Sequence, residues 1–347
     1  MMDKHTFHYN APFSLESGGS LPGFELAYCT FGRLNRERSN VVWVCHALTG
    51  NANVAAWWGG LFGEGKMFNP EEHFVICANV LGSCYGSTGP LSVNPETGKK
   101  YYHDFPKITI RDMVNALDLL RQHLGIERIF TLTGGSLGGQ QALEWAVMKP
   151  ELMENMILMS SNAQHSPWGI AFNESQRMAI KADPTWFENR DDAGVEGMKA
   201  ARAIAMLSYR NYATYESTQF EKDSEHIGDY RAASYQRYQG LKLANRFNAF
   251  SYWVLSEAMD SHHIGRGRGS VMEALQQIQA YTQVIGILTD ILFPVAEQRF
   301  IARGIRNVTY EEINSLYGHD GFLVETNKLE KSIRAFFRQK DRKQLIY

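Results

Sequence analysis

Arg128-Ile129-Phe130-Thr131-Leu132-Thr133 followed by Gly134-Gly135-Ser136-Leu137-Gly138-Gly139 and then QQALEWAVM (140–148) is the stretch whose reading decides the fold. After Arg128 the next five residues are β-branched or apolar, and the six read as a strand. The last nine are strong helix formers. Between them stands one serine flanked by glycines. A serine on a strand-to-helix turn, spaced G-x-S-x-G, is a nucleophile elbow. The turn is strained, so its neighbours must be small. It lifts the hydroxyl above the sheet edge at a helix N-terminus. Backbone N–H groups there can stabilise an oxyanion, and the N–H of Leu137 is one candidate. The pentapeptide alone also fits a plain glycine-rich turn or a phosphate loop; the flanking strand and helix select the nucleophile.

Working outward, FELAYCT (24–30), VVWVC (41–45) and FVICANV (74–80) read as strands. The second is a pure apolar run, as a strand covered on both faces should be. Ile110, Met113, Val114, Leu117 and Leu120 recur at helical spacing, with Thr109 as N-cap and Asp112 in the first turn. NMILM (155–159) is a further strand. From Gln164 to Met272 no strong strand occurs, and stretches such as 197–209 and 247–259 are helical. The strand–helix rhythm then returns with TQVIGIL (282–288), a helix begun at Pro294, a strand over 308–313 and an amphipathic helix over 323–337. Alternation of this kind predicts an α/β fold, a mostly parallel central sheet flanked by helices. Residues 1–163 and 273–347 form the expected core, and residues 164–272 an inserted helical lid.

A serine hydroxyl needs a base, and the base needs an orienting acid. In elbow-bearing folds the chain order is Ser, acid, His. Asp290 follows the strand TQVIGIL, and His319 follows the 308–313 strand within YGHDGF. Alone, Asp290 reads as a turn or cap residue and His319 as a surface-loop histidine. The order and strand-end placement of all three together select a triad. The second oxyanion donor is expected from the loop CHALTG (45–50), with Leu48 N–H as candidate. His46 on that loop reads as a structural residue. His262 and His263 read as a turn. No metal-ligand spacing is present, so no metal is expected.

The bulk numbers agree with an ordinary globular enzyme. Of the 347 residues, 44% are hydrophobic and 21% charged, and the net charge of −2 leaves no basic field for nucleic acid or a membrane surface. The N-terminal MMDKHTFHYN lacks the apolar core of a signal peptide, and no apolar run is long enough to span a membrane. Cys45 and Cys77 sit in apolar runs without a CxxC pair, which points to a reducing, cytoplasmic setting.

Several motifs are far more specific than the elbow. HALTG (46–50), LGSCYGSTGP (81–90), GGSLGGQQALEW (134–145), FNESQRMAI (172–180), ARAIAMLSY (201–209), HHIGRGRG (262–269), TDILFP (289–294) and GHDGFL (318–323) together resemble the homoserine O-acetyltransferase family of the α/β-hydrolase superfamily. The resemblance implies an α/β-hydrolase fold and an acetyl-CoA-dependent O-acyltransferase of methionine biosynthesis. It implies a ping-pong reaction through an acyl-Ser136 intermediate, acetyl-CoA as co-substrate without a tightly bound cofactor, and a homodimer. By motif, Arg202 and Tyr209 correspond to the family's substrate-binding Arg and Tyr. Asp320 offers the negative charge that a zwitterionic acceptor also requires. Two positions depart from the family: Asn248 stands where Asp is common, and Gln140 where an apolar residue is frequent. Arg266 and Arg268 suit either CoA phosphates or a loop that fixes the lid's return to the core.

The same triad would serve a serine hydrolase or esterase, with water as acceptor. A homoserine O-succinyltransferase and a serine O-acetyltransferase differ from the acetyl-to-homoserine reading by a few pocket residues. A non-enzymatic binding protein on this scaffold would have no need of an intact Ser136, Asp290 and His319.

Overall fold

Residues 2–344 are described by the structure, a computed structural model. The strands are β1 (Met2–Tyr9), β2 (Phe13–Ser14), β3 (Ser20–Leu21), β4 (Phe24–Phe31), β5 (Val41–Cys45), β6 (Phe74–Ala78), β7 (Ile129–Gly135), β8 (Met153–Met159), β9 (Tyr281–Ile287) and β10 (Val308–Ile313). The α-helices within the core are α1 (Val54–Trp58), α2 (Ile110–His123) and α3 (Leu137–Met148) before β8. Between β8 and β9 come α4 (Pro167–Lys181), α5 (Val195–Tyr209), α6 (Tyr212–Gln219), α7 (Arg231–Ala244), α8 (Ala249–Asp260) and α9 (Val271–Gln276). The chain ends with α10 (Val295–Gly304), α11 (Gly321–Val324) and α12 (Thr326–Gln344).

Eight strands form one sheet in the order β1-β4-β6-β5-β7-β8-β9-β10. β5 to β10 pair in parallel, while β1 and β4 run antiparallel at one edge. Alternation along β5 divides the core. Val41, Trp43 and Cys45 face one layer with α2 and α3, where the Trp43 and Trp145 rings meet edge to face. Val42 and Val44 face the other, with Trp58, Phe322 and Phe336. A strand buried on both faces therefore has no room for a polar residue, which is why VVWVC is legible as one. The chain leaves β5 toward β6 and returns on its other side as β7. Their carboxyl ends therefore flank a topological switch point, where open sheets of this kind bind ligands.

The cap expected at Thr109 is present, and the structure adds two more. Thr109 and Asp112 form a full capping box on α2, Ser166 caps α4 ahead of Pro167, and Asn248 caps α8 by accepting from Ser251 N. The departure at Asn248 thus serves a helix start, a role Asp also fills. Two expectations need correction. The helix over 323–337 is broken at Glu325 into α11 and α12. His262 and His263 are more than a turn: His263 bridges Gln164, and the buried His262 donates from Nε2 to Asn162 O at 3.1 Å. These contacts tie the two ends of the α4–α9 segment together. Arg268 forks onto Glu144 of α3 at 2.6 and 3.0 Å, and Arg111 of α2 holds the same carboxylate at 2.7 Å. Arg266 reaches Ser261 O and lies 3.7 Å from Glu16. Both arginines are thus engaged with protein acceptors that fix this loop to the core. Among the described residues no helix is long and apolar enough to cross a membrane.

Candidate active site

Ser136 is the N-cap of α3, with φ 57° and ψ −127°, a backbone conformation costly for any residue with a Cβ. Its surroundings hold it there. Ser136 N–H is shared between Met159 O and Ser160 O at 3.1 and 3.2 Å. Its carbonyl accepts from Gly139 N, Gln140 N and the Ser161 hydroxyl, the last at 2.9 Å. The glycines are there for space. A Cβ on Gly138 would lie 2.1 Å from Cys45 O, and one on Gly135 would lie 2.5 Å from the Phe322 ring.

Asp290 and His319 are joined as expected. His319 Nδ1 donates to Asp290 Oδ2 at 2.7 Å, and Asp290 Oδ1 accepts from Leu292 N and Phe293 N at 2.9 Å each. The Asp290 side chain is fully buried and that of His319 nearly so. The imidazole stacks on Phe293 at 5.1 Å and meets Phe322 at 5.3 Å. Phe322 therefore packs against both Gly135 and His319, bringing the histidine alongside the elbow. With Nδ1 committed to Asp290, Nε2 is the nitrogen left for proton transfer.

The loop after β5 turns over Ala47–Gly50, with Gly50 N–H bonded to Ala47 O at 2.8 Å. His46 is fully buried in it. Its Nε2 accepts from Val80 N–H at 3.1 Å, so Nδ1 carries the proton and donates to Ala47 O at 2.8 Å. Burial pushes its pKa down to about 4, which keeps it a neutral brace. Among the described residues Leu48 N–H meets no acceptor, while the carbonyls of His46, Ala47 and Thr49 beside it each accept a hydrogen bond. Leu137 N–H, in the first turn of α3, has no intrahelical acceptor either.

Arg202 and Tyr209 lie on one face of α5, the guanidinium 5.0 Å above the ring. The Tyr209 ring in turn stands 5.8 Å from that of His319. Burial raises the Tyr209 pKa, and the charge of Asp320 adds to it, against the opposing pull of Arg202. Asp320 is paired with Arg210 at 3.1 Å. The sequence reading missed Arg210, although it directly follows Tyr209 in the motif. It also missed Phe293 and Phe322 as the walls around His319. Tyr252 was missed too: fully buried on α8, it bonds to Gln176 Oε1 at 2.5 Å and contacts the Tyr209 hydroxyl. A buried tyrosine needs a hydroxyl partner, and that was the available signal. Gln140, the second family departure, is fully buried; its backbone N–H is one of those bonded to Ser136 O, and its side chain contacts Asn162 at 2.9 Å and His165 at 3.2 Å.

The alpha/beta hydrolase fold family model matches residues 40–326. A homoserine O-acetyltransferase of Cyclobacterium marinum is 54% identical over 336 residues, covering 97% of this chain and 95% of its own. The enzyme of the same name from Chlorobaculum tepidum is 46% identical, covering 96% and 94%. Among solved structures, homoserine O-acetyltransferase from Bacillus anthracis matches with a TM-score of 0.90 at 26% identity over 97% of both chains. An L374D mutant of esterase E22 matches at 0.88 and 25% identity, over 97% of this chain and 99% of its own. The fold is thus shared with esterases, but 54% identity over nearly the whole chain is more than a shared fold requires. The chain belongs to the homoserine O-acetyltransferase family of the α/β hydrolases.

Proposed function

We propose that the chain transfers an acetyl group from acetyl-CoA to the γ-hydroxyl of L-homoserine, as a step of methionine biosynthesis. Ser136 Oγ attacks the thioester carbon as His319 Nε2 takes its proton, and Asp290 stabilises the imidazolium. The oxyanion rests on Leu48 and Leu137 N–H. Collapse expels CoA, which leaves as the thiol with the proton from His319. Homoserine then enters; His319 takes its hydroxyl proton, the oxygen attacks the acetyl-serine carbonyl, and Ser136 recovers the proton on release. Arg202 and Tyr209 bind the amino-acid carboxylate, and Asp320 the ammonium.

One observation carries this reading: Tyr209 touches both Arg202 and His319. A carboxylate held by Arg202 would sit one short side chain from the base, the reach that homoserine has. Residues 164–272 act as the lid that keeps water from the acyl-enzyme. Exposed Tyr212, Phe220, Ile227 and Tyr238 on the lid support a homodimer formed through it. Four free cysteines support a cytoplasmic setting.

The experiment measures CoA release from acetyl-CoA with and without L-homoserine, with the amino-acid product weighed. Succinyl-CoA and L-serine run in parallel. Homoserine-dependent release with a product heavier by one acetyl group is expected, and Ser136→Ala should abolish it. Release equally fast without an amino acid would establish the esterase reading, which the likeness to esterase E22 favours, and would remove the roles given to Arg202 and Asp320.

A further inference from the structure

The link between α7 and α8 carries an exposed arginine that leaves its own segment to grip the loop after β5. Arg246 Nη1 donates to Thr49 O at 2.6 Å and to the Tyr85 hydroxyl at 2.5 Å, and Nη2 reaches Thr49 Oγ1 at 3.4 Å. Next to it the Phe247 ring meets Tyr85 edge-on at 5.8 Å, while Tyr85 O accepts from Asn79. Asn79 also accepts from Ala52 N at 2.8 Å. Both sides of the loop are therefore framed.

A peptide group is planar, and its C=O and N–H point in opposite directions. Thr49 O and Gly50 N–H belong to one plane. Arg246 holds the first, and the second donates to Ala47 O. Ala47 O and Leu48 N–H belong to a second plane, two peptides back along the chain, so fixing the carbonyl aims the N–H the other way. The guanidinium, two peptide planes and Leu48 N–H form one hydrogen-bonded relay, and a charged donor at its head polarises every bond along it.

We infer that Arg246 is a positioning residue of the reaction: from the lid it fixes the direction and donor strength of Leu48 N–H. This rests on the reading of Leu48 as an oxyanion donor. Seating the lid thereby strengthens the oxyanion hole, so the acyl group is most activated when the lid is down. His46 Nδ1–H is a second anchor on Ala47 O, so loss of Arg246 weakens the hole without abolishing it.

The test compares the wild type with Arg246→Ala, Arg246→Lys and Leu48→Pro. Proline removes the N–H and suits a central turn position. The CoA burst reports acylation, and transfer to homoserine reports deacylation. Arg246→Ala should slow both by a similar factor, about tenfold, with the homoserine KM within about twofold and an unchanged melting temperature. Arg246→Lys should recover part of the loss. With Leu48→Pro already present, Arg246→Ala should cost little more, since both act through one donor. Unchanged rates in Arg246→Ala, a rise in homoserine KM alone, or full additivity with Leu48→Pro would overturn the inference. If Leu48→Pro itself keeps full kcat, the oxyanion reading of Leu48 fails instead, and that outcome is distinct.

Discussion

At the Asp290–His319 pair each carboxylate oxygen has a separate task. Oδ1 is held by two backbone N–H groups, and Oδ2 is presented to the imidazole. Asp290→Asn would keep the shape but place an amide N–H against Nδ1, selecting the tautomer with its proton on Nε2. The base is then lost while the fold persists. The expected fall in kcat is about 10⁴-fold, with homoserine binding retained when measured by calorimetry. The glycine of the elbow predicts the opposite failure. Gly138→Ala forces a Cβ against Cys45 O, a backbone atom that cannot move without shifting β5. A loss of about 3 kcal/mol or more in urea unfolding is expected, whereas Gly98→Ala, with nothing within 4 Å, costs only the strain of its positive φ, about 1 kcal/mol. Residue types that stand in a short motif of fixed spacing, such as Ser136 between its glycines and His319 in GHDGF, are legible in a sequence. Arg210 and Arg246 are not, because an arginine gains its role from what stands opposite it in space.

Between elements, the helices α4, α5 and α8 meet around a short buried chain of hydroxyls. Gln176 of α4 accepts from Tyr252 of α8, which contacts Tyr209 of α5. Tyr209 in turn lies under Arg202. Removing one oxygen with Tyr252→Phe leaves Gln176 Oε1 and the Tyr209 hydroxyl each short of a partner, at about 1–3 kcal/mol. On the proposal that Tyr209 binds the amino-acid carboxylate, part of that loss should appear as a homoserine KM raised about fivefold, while the CoA burst from acetyl-CoA stays at the wild-type rate. An equal loss in both steps would mean that Tyr252 supports the nucleophile side instead. The elements themselves were legible in proportion to their burial. β5 and β10 match their expected bounds, whereas β1 is an edge strand with mostly exposed residues, and β2 and β3 have two residues each. Such pieces carry no periodicity for a sequence to display. The break at Glu325 between α11 and α12 was hidden for a related reason, because apolar spacing continues across it.

Over the whole molecule, His46, His165 and His262 are buried as neutral rings, and with a smaller share from His73, which burial also shifts down, they contribute to how the fold responds to acid. Burial pushes His46 and His165 down to about 4 and His262 down to about 3. In the unfolded chain each titrates near 6.5. A group whose folded pKa is depressed in this way leaves the unfolded state holding more protons once the pH drops below 6.5. Stability is therefore full above pH 6.5 and lost as pH falls toward 4. Three such groups give a slope of about 4 kcal/mol per pH unit in that window. The carboxylates act lower. Glu144, where burial is outweighed by Arg268 and Arg111, sits below its usual range, so its contribution is lost only under more acidic conditions. Asp112 and Asp260, raised chiefly by burial, take up protons in the folded state first and offset part of the loss near the carboxylate range. The clean interval is thus pH 7.0 to 5.5, over which urea unfolding should show a drop of about 4 kcal/mol. His262→Gln retains a donor for Asn162 O and should reduce that drop by about a third. A midpoint that stays flat from pH 7.0 to 5.5 would mean that these rings accept protons within the fold, and that the space around them opens to water.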